Sequence, residues 1–102
     1  MTQDKEKTVM IIRKWADGEY IAIMPYELGT YSPYTCMSYM HIGQHGSCDP
    51  MIVMNTKHTN NDDSQAYRDF IAELESIGYN LDIRKHIPSD SLENRRKQLK
   101  SI

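Results

Sequence analysis

A chain of 102 residues is long enough for one domain and too short for two. Its net charge of -2, from 12 basic and 14 acidic side chains, argues against a broad phosphate-binding face. No apolar run approaches the roughly 18 residues of a membrane span, and the first residues, MTQDKEK, lack the apolar segment of a secretion signal. We therefore expect a cytoplasmic protein without a membrane partner, in which Cys36 and Cys48 are reduced thiols.

A β-hairpin is predicted at the start of the chain. The segment 8–15, TVMIIRKW, is rich in β-branched and apolar residues, which is typical of a strand. Asp17 and Gly18 follow, and this dipeptide favours a tight turn because glycine accepts a positive φ at little cost. The segment 19–26, EYIAIMPY, is then the returning strand, which Pro25 should end or place at a sheet edge.

Two more strands are predicted in the middle of the chain. A loop at 27–34, rich in Gly, Ser and Pro, precedes a third strand at 34–42. Side chains alternate between the two faces of that strand. One face carries Cys36, Ser38, Met40 and Ile42, and the other carries Thr35, Met37, Tyr39 and His41. A turn at 43–50 then leads to a fourth strand at 51–58. Strands that are adjacent in sequence usually pair, so these four are expected to form an antiparallel meander.

The clearest predicted element is a helix over 61–77. Thr59, Asn60 and Asn61 offer N-cap oxygens, and Asp62 and Asp63 favour the positive end of the helix dipole. Gly78 is placed to be the residue just after the helix. Apolar residues recur at helical spacing, namely Tyr67, Phe70, Ile71, Leu74 and Ile77. Alternation at 79–87 then predicts a half-buried last strand.

These elements predict an α+β fold, with an antiparallel sheet of about five strands and one helix packed on one face. Four strands form the meander, and the last strand follows the helix. The domain is expected over 1–88, with 1–7 as a polar extension and 89–102 as a polar tail or a short surface helix. The predicted core consists of Val9, Ile11, Ile21, Ile23, Val53, Phe70, Ile71, Leu74, Ile77, Leu81 and Ile83. Because a shift of one residue exchanges the faces of a strand, Met10 and Ile12 are the alternative to Val9 and Ile11.

The stretch YMHIGQHGSCDP, residues 39–50, concentrates side chains that can do chemistry. Zinc accepts His41, His45, Cys48 and Asp49 as ligand types, although their spacing matches no established zinc arrangement. The same residue types suit a Cys48 nucleophile with a histidine base and Asp49 as the orienting group. No surrounding motif supplies an oxyanion hole for that reaction.

A polar turn is the third interpretation of this stretch, and the one we favour. Gly43 and Gly46 argue against a helix and permit a positive φ in a wide hairpin connection. Histidines displayed from the rim of a hairpin are compatible with a binding surface, because loops on a rigid scaffold often serve recognition.

The leading functional prediction is a non-enzymatic binding or interaction module that contacts a protein or small-molecule ligand through the loops at 26–34 and 41–49. The predicted binding residues are Tyr31, Tyr34, Tyr39, His41, Gln44 and His45. No cofactor is required for this role, and the exposed edge of a short sheet makes a homodimer credible.

Two alternatives belong to other functional classes. One is a metal- or cysteine-dependent hydrolase-like enzyme built on His41, His45, Cys48 and Asp49, for which zinc is the candidate metal. The other is nucleic-acid binding through the basic tail, namely Arg95, Arg96, Lys97 and Lys100, although such a charge run is more often a solvated tail.

Three stretches, VMIIRKWADGEYIAIMP, YTCMSYMHIGQHGSCDP and ELESIGYNLDIRK, together resemble a family of small uncharacterised proteins of gut bacteria, phages and integrated mobile elements. The resemblance covers about residues 9–85, and its most specific part is the motif S-Y-x-H-I-G-Q-H-G at 38–46. It implies a bacterial or phage setting, a cytoplasmic location and an accessory role. It implies no activity and no catalytic residue.

Overall fold

The computed structural model describes residues 7–41 and 45–101, which form an α+β fold. The elements in chain order are strands β1 (Thr8–Lys14), β2 (Tyr20–Leu28), β3 (Cys36–Tyr39) and β4 (His45–Cys48), a 3₁₀ helix (Pro50–Asn55), strand β5 (Lys57–His58), helix α1 (Gln65–Ile77), strand β6 (Leu81–Ile83) and helix α2 (Ser91–Lys100). The predicted fold class is confirmed.

The strands lie in one sheet in the order β4-β3-β2-β1-β5, and β6 also pairs with β1. Strands β1 to β4 form an antiparallel meander of four strands, as expected, although its fourth strand is not the predicted segment. Strand β5 pairs antiparallel with the second half of β1, and β6 pairs with its first half. The last strand therefore joins the sheet as expected, although it runs parallel to β1.

The first hairpin has the predicted turn. Gly18 has a φ of +95°, and the Asp17 carboxylate accepts a hydrogen bond of 2.9 Å from the backbone N–H of Glu19. The prediction that Pro25 ends the second strand or lies at an edge is wrong, because β2 continues to Leu28 in the interior of the sheet. Proline has no N–H to donate to a neighbouring strand, and the pairing of β2 with β3 shifts register just after Met24.

The prediction of a fourth strand at 51–58 is wrong for most of its length. Residues Pro50–Asn55 form a 3₁₀ helix, and only Lys57–His58 is a strand. Pro50 stands in the first turn of that helix, and the Asp49 carboxylate accepts a hydrogen bond of 2.9 Å from the N–H of Met51. This cap, together with the φ that proline prefers, starts a helical turn where an extended strand was expected.

The fourth strand of the meander lies instead at His45–Cys48, inside the segment predicted as a turn. Gly46 is part of this strand and has no positive φ. Gly43, which was also predicted to permit the turn, lies outside the described residues.

Both faces of the central strands are buried. One face packs against Phe70 and Leu74 of α1, and its buried residues are Met10, Ile12, Tyr20, Ala22, Met24 and Tyr39. The opposite face carries Ile11, Ile23 and Cys36, with Val9, Cys48, Ile52, Val53 and Ile87 packed against them. Because other elements pack on both faces of the sheet, both predicted sets of core residues in β1, Val9 and Ile11 as well as Met10 and Ile12, lie in the interior.

Most of the predicted core is buried or partly buried, but two of its residues are exposed. Ile77 and Ile83 have exposed side chains and were assigned to the core incorrectly. Ile77 is the last residue of α1, and Ile83 is the last residue of β6. Each lies where its element leaves the packed interface, which periodicity alone does not reveal.

Helix α1 begins later than predicted because Ser64 is the N-cap, and its hydroxyl accepts a hydrogen bond of 3.2 Å from the N–H of Tyr67. Gly78 ends the helix with a φ of +115°, as its position predicted. Residues Phe70 and Leu74 of the predicted apolar stripe are buried against the sheet.

Helix α2 lies in the segment predicted as a tail or a short helix. Its Arg95 is only 3% exposed, and the guanidinium donates hydrogen bonds of 2.8 Å to the carbonyl of Pro33 and 2.5 Å to that of Pro25. Gln98 donates a further bond of 2.7 Å to the carbonyl of Tyr26. These contacts tie α2 to β2 and to the loop that follows it. No helix in the described part of the chain is long and apolar enough to cross a membrane.

Candidate functional site

The predicted binding residues do not form one surface. Tyr39 is 1% exposed, and its hydroxyl donates a hydrogen bond to Glu73 of α1. The ring of His45 packs against Tyr39 with 4.8 Å between centroids, and its Nε2 lies 2.8 Å from the hydroxyl of Tyr79. Tyr39 is therefore a core residue, and His45 lies at the edge of the face that α1 covers.

The remaining predicted binding residues lie elsewhere. The Nε2 atom of His41 is 3.9 Å from the carboxylate of Glu19, close to the first hairpin. Tyr31 and Tyr34 are exposed, and the Arg96 guanidinium lies 5.8 Å from the centroid of the Tyr34 ring. Gln44 is outside the described residues.

Within the described residues, His45 and Cys48 are not brought together in the arrangement that hydrolysis requires. His45 and Cys48 are three residues apart in β4, so they point to opposite faces of the sheet. His45 contacts Tyr79, whereas Cys48 contacts Cys36 on the other face. Among residues 7–41 and 45–101, no group of three His, Cys, Asp or Glu side chains could hold a metal ion.

The basic side chains of α2 are partly occupied by contacts within the fold. Arg95 is buried, so its charge cannot meet a phosphate group. Arg96 lies 3.7 Å from Glu93 and donates a hydrogen bond of 3.3 Å to the hydroxyl of Tyr34. Lys97 and Lys100 are exposed.

A pocket of about 320 Å³ opens on the face of the sheet opposite α1. This volume lies at the lower end of the range for small-molecule sites. We call it the Trp15 pocket, and its lining consists of Trp15, Ile21, Ser38, Met40, His45, Gly46, Ser47, Cys48 and Ile52.

Strand alternation explains why Ser38, Gly46 and Cys48 meet in this pocket. Ser38 pairs with Ile23 of β2 on one side and with Gly46 of β4 on the other. Ser38 and Cys48 share a face because Cys36, two residues before Ser38, is the partner of Cys48. The sequence predicted correctly that Cys36 and Ser38 share a face of β3, but it did not predict β4 or the 3₁₀ helix, which complete the pocket.

The 3₁₀ helix closes one side of the Trp15 pocket through Ile52. Arg13 of β1 holds this helix in place, because its Nη2 donates to the carbonyls of Val53, at 2.7 Å, and Thr56, at 2.5 Å. Its Nε also donates a hydrogen bond of 3.0 Å to the Thr56 hydroxyl. A guanidinium with several fixed donors can anchor an irregular segment in this way.

The indole N–H of Trp15 is buried and has no hydrogen-bond partner among the described residues. A buried donor without a partner costs about 1–3 kcal/mol. Trp15 lines both the Trp15 pocket and an adjoining open concavity with Met40. No local sequence pattern indicates the position of Trp15 in a pocket.

Cys48, in the wall of the pocket, lies beside the buried Cys36. Both are free, and the sulfur atoms of Cys36 and Cys48 are 3.7 Å apart. The hydrogen bond with Cys48 and the burial of its side chain raise the pKa of Cys36 well above its usual range. The same hydrogen bond, with help from the Ser38 hydroxyl, lowers the pKa of Cys48 although burial opposes this. Cys48 is therefore the sulfur of the pair that ionises first.

The fold and the site define an α+β domain whose sheet is covered on both faces and carries a largely apolar pocket on one of them. Comparisons of the chain with protein-family models, curated proteins and solved structures find no match.

Proposed function

We propose that this protein is a non-enzymatic binding module that holds a small, mostly apolar ligand with a hydrogen-bond acceptor in the Trp15 pocket. The proposal rests on Trp15, which lines an apolar cavity and whose buried indole N–H has no partner among the described residues. A rotation of the indole would turn this donor toward the cavity, where an acceptor on the ligand would satisfy it. The apolar part of the ligand would cover Ile21, Met40 and Ile52.

The size of the pocket favours a small molecule over a protein. A cavity of about 320 Å³ suits a ligand of two or three rings, whereas a stable protein complex usually buries more than about 1,000 Å². The separation of His45 from Cys48 favours binding over hydrolysis. A cytoplasmic, accessory role in a bacterial or phage setting is part of the proposal, because the motif at 38–46 implies it.

Trp15 is the only tryptophan of the chain, so its fluorescence can report on the pocket. The probe is anilinonaphthalene sulfonate, whose rings are apolar and whose sulfonate accepts hydrogen bonds. We expect a saturable loss of tryptophan emission, with a matching rise in dye emission, when the dye is titrated into the protein.

A blocking variant tests whether the dye occupies this pocket. Gly46 lines the pocket, and a Cβ built at this position meets nothing within 4 Å, so Gly46→Phe should fill the cavity without a backbone clash. Lys57→Phe is the matched control, because it adds the same ring on β5 at the opposite edge of the sheet. Thermal unfolding verifies that each variant is folded.

The proposal predicts at least a tenfold loss of dye affinity in Gly46→Phe and unchanged affinity in Lys57→Phe. The variant Trp15→Phe keeps an aromatic ring but lacks the donor, so dye emission should show affinity weakened by about 1 kcal/mol, or roughly fivefold. Equal affinity of the wild type and Gly46→Phe would show that the dye binds elsewhere and would refute the proposal.

A further inference from the structure

Cys36 and Cys48 occupy paired positions on neighbouring antiparallel strands. Their sulfur atoms are 3.7 Å apart, and a disulfide would require them to approach to about 2.0 Å. Directly opposed residues in an antiparallel pair have Cα atoms about 4.5–5.5 Å apart, a separation that a disulfide can span. Rotation of the two side chains is therefore sufficient, and the strand register need not change.

Access to the two sulfur atoms is unequal. Cys36 is 0% exposed, between β2 and β4 in the sheet. Cys48 is partly exposed on the outermost strand of the meander and lines the Trp15 pocket. A reagent in solution therefore reaches Cys48 first, and Cys36 can react only with a group already attached to its neighbour.

We propose that Cys48 is a modification site for small disulfides such as glutathione disulfide, and that Cys36 resolves the adduct into a Cys36–Cys48 disulfide. This site is independent of the ligand proposed for the pocket, since it depends only on the thiol pair and on access to one of its members.

The chemistry is a pair of thiol–disulfide exchanges. Cys48 loses its proton to solvent, and its thiolate attacks one sulfur of glutathione disulfide. The disulfide bond of the reagent breaks, and one glutathione leaves as a thiolate that takes up a proton. The sulfur of Cys36 then loses its proton and attacks the Cys48 sulfur of the mixed disulfide, which releases the second glutathione. Two protein thiols are oxidised and one external disulfide is reduced to two thiols.

The surroundings of the pair agree with these roles. The lowered pKa of Cys48 increases its thiolate fraction, and the thiolate is the attacking form. The raised pKa of Cys36 keeps this residue protonated while it faces an unmodified Cys48. The charged groups near the pair are Arg95, which favours thiolates, and Asp49, which opposes them.

The test treats the full chain with glutathione disulfide at neutral pH and follows its intact mass over time. We expect the wild type to lose two hydrogen atoms and to show the mixed disulfide only transiently. Cys36→Ala should accumulate a stable adduct of one glutathionyl group. Cys48→Ala should stay unmodified when folded and should become modified in denaturant, which proves that its remaining thiol is competent.

Three results would overturn the proposal. The first is a folded Cys48→Ala that reacts as fast as Cys36→Ala, and the second is a wild type that stops at the mixed disulfide. The third is a Cys36→Ala that stays unmodified when folded yet reacts in denaturant. None of these results affects the dye titration, which involves no thiol, so the site and the proposed function can fail separately.

Discussion

Replacing Arg95 with alanine is expected to destabilise the protein far more than the same change at the neighbouring Arg96. Both residues lie in α2, and both changes remove one positive charge. Arg95 is buried and donates to the carbonyls of Pro25 and Pro33. Arg96 has a side chain that is 43% exposed and contacts only groups on the surface.

The magnitude follows from these contacts. A hydrogen bond to a charged group contributes about 1.5–3 kcal/mol, and truncation of Arg95 would leave two carbonyls in need of new partners. The expected loss for Arg95→Ala is therefore about 3–5 kcal/mol. An exposed ion pair and a cation–π contact contribute about 0.5–1 kcal/mol each, so Arg96→Ala should cost about 1 kcal/mol. A loss of 3–5 kcal/mol is a large part of the stability of a small domain.

Urea unfolding of both variants, followed by circular dichroism, measures these free energies. The prediction is a difference of about 2–4 kcal/mol between the variants, with similar dependence on urea. A difference below about 1 kcal/mol would mean that α2 is not anchored through Arg95, and the attachment of this helix to β2 would have to be explained otherwise.

Two other predictions concern α1 and the segment before it. Hydrogen bonds from Ser64 and Tyr20 lower the pKa of Asp62 to about 2. This pKa lies below that of an aspartate in the unfolded chain, so the ionised Asp62 stabilises the fold fully above about pH 4 and progressively less as the pH falls through 2. Tyr20→Phe removes one of the hydrogen bonds and should raise the pKa of Asp62 in a carbon-13 NMR titration. An unchanged pKa would contradict the role of Tyr20. Leu74 is 0% exposed, so Leu74→Ala should lower the free energy of unfolding in urea by about 3 kcal/mol. Ile77 is exposed, so Ile77→Ala should lower it by less than about 1 kcal/mol. Equal losses would contradict the packing of α1 against the sheet.

Elements with local causes were predictable from the sequence. The turn at Asp17 and Gly18 needs only the positive φ of Gly18 and the Asp17 carboxylate, which accepts a hydrogen bond from the N–H of Glu19. The end of α1 at Gly78 likewise depends on one residue with left-handed geometry. The two faces of β3 followed from strict alternation, which holds wherever a strand is regular.

The segment after the meander was not predictable in this way. Its sequence, PMIVMN, has the β-branched and apolar content of a strand, yet it forms a 3₁₀ helix. Part of the cause is local, since Asp49 caps the helix and Pro50 starts it. The rest is distant, because Arg13 reaches across from β1 to bond the carbonyls of Val53 and Thr56. Local propensity carries no information about such a contact.

The candidate site depends on register even more strongly. His45 and Cys48 suggested a reactive pair because they are close in sequence, but three residues along a strand place them on opposite faces. Cys36 and Cys48 are twelve residues apart, and they meet because β3 and β4 pair at that position. A shift of one residue in this pairing would set Cys36 opposite Ser47 and remove both the thiol contact and the wall of the pocket. Two side chains in a sheet can react with each other only if they lie at even spacing within one strand or at paired positions on neighbouring strands. Cys48 meets the second condition, and its partner, Cys36, lies outside the stretch 39–50.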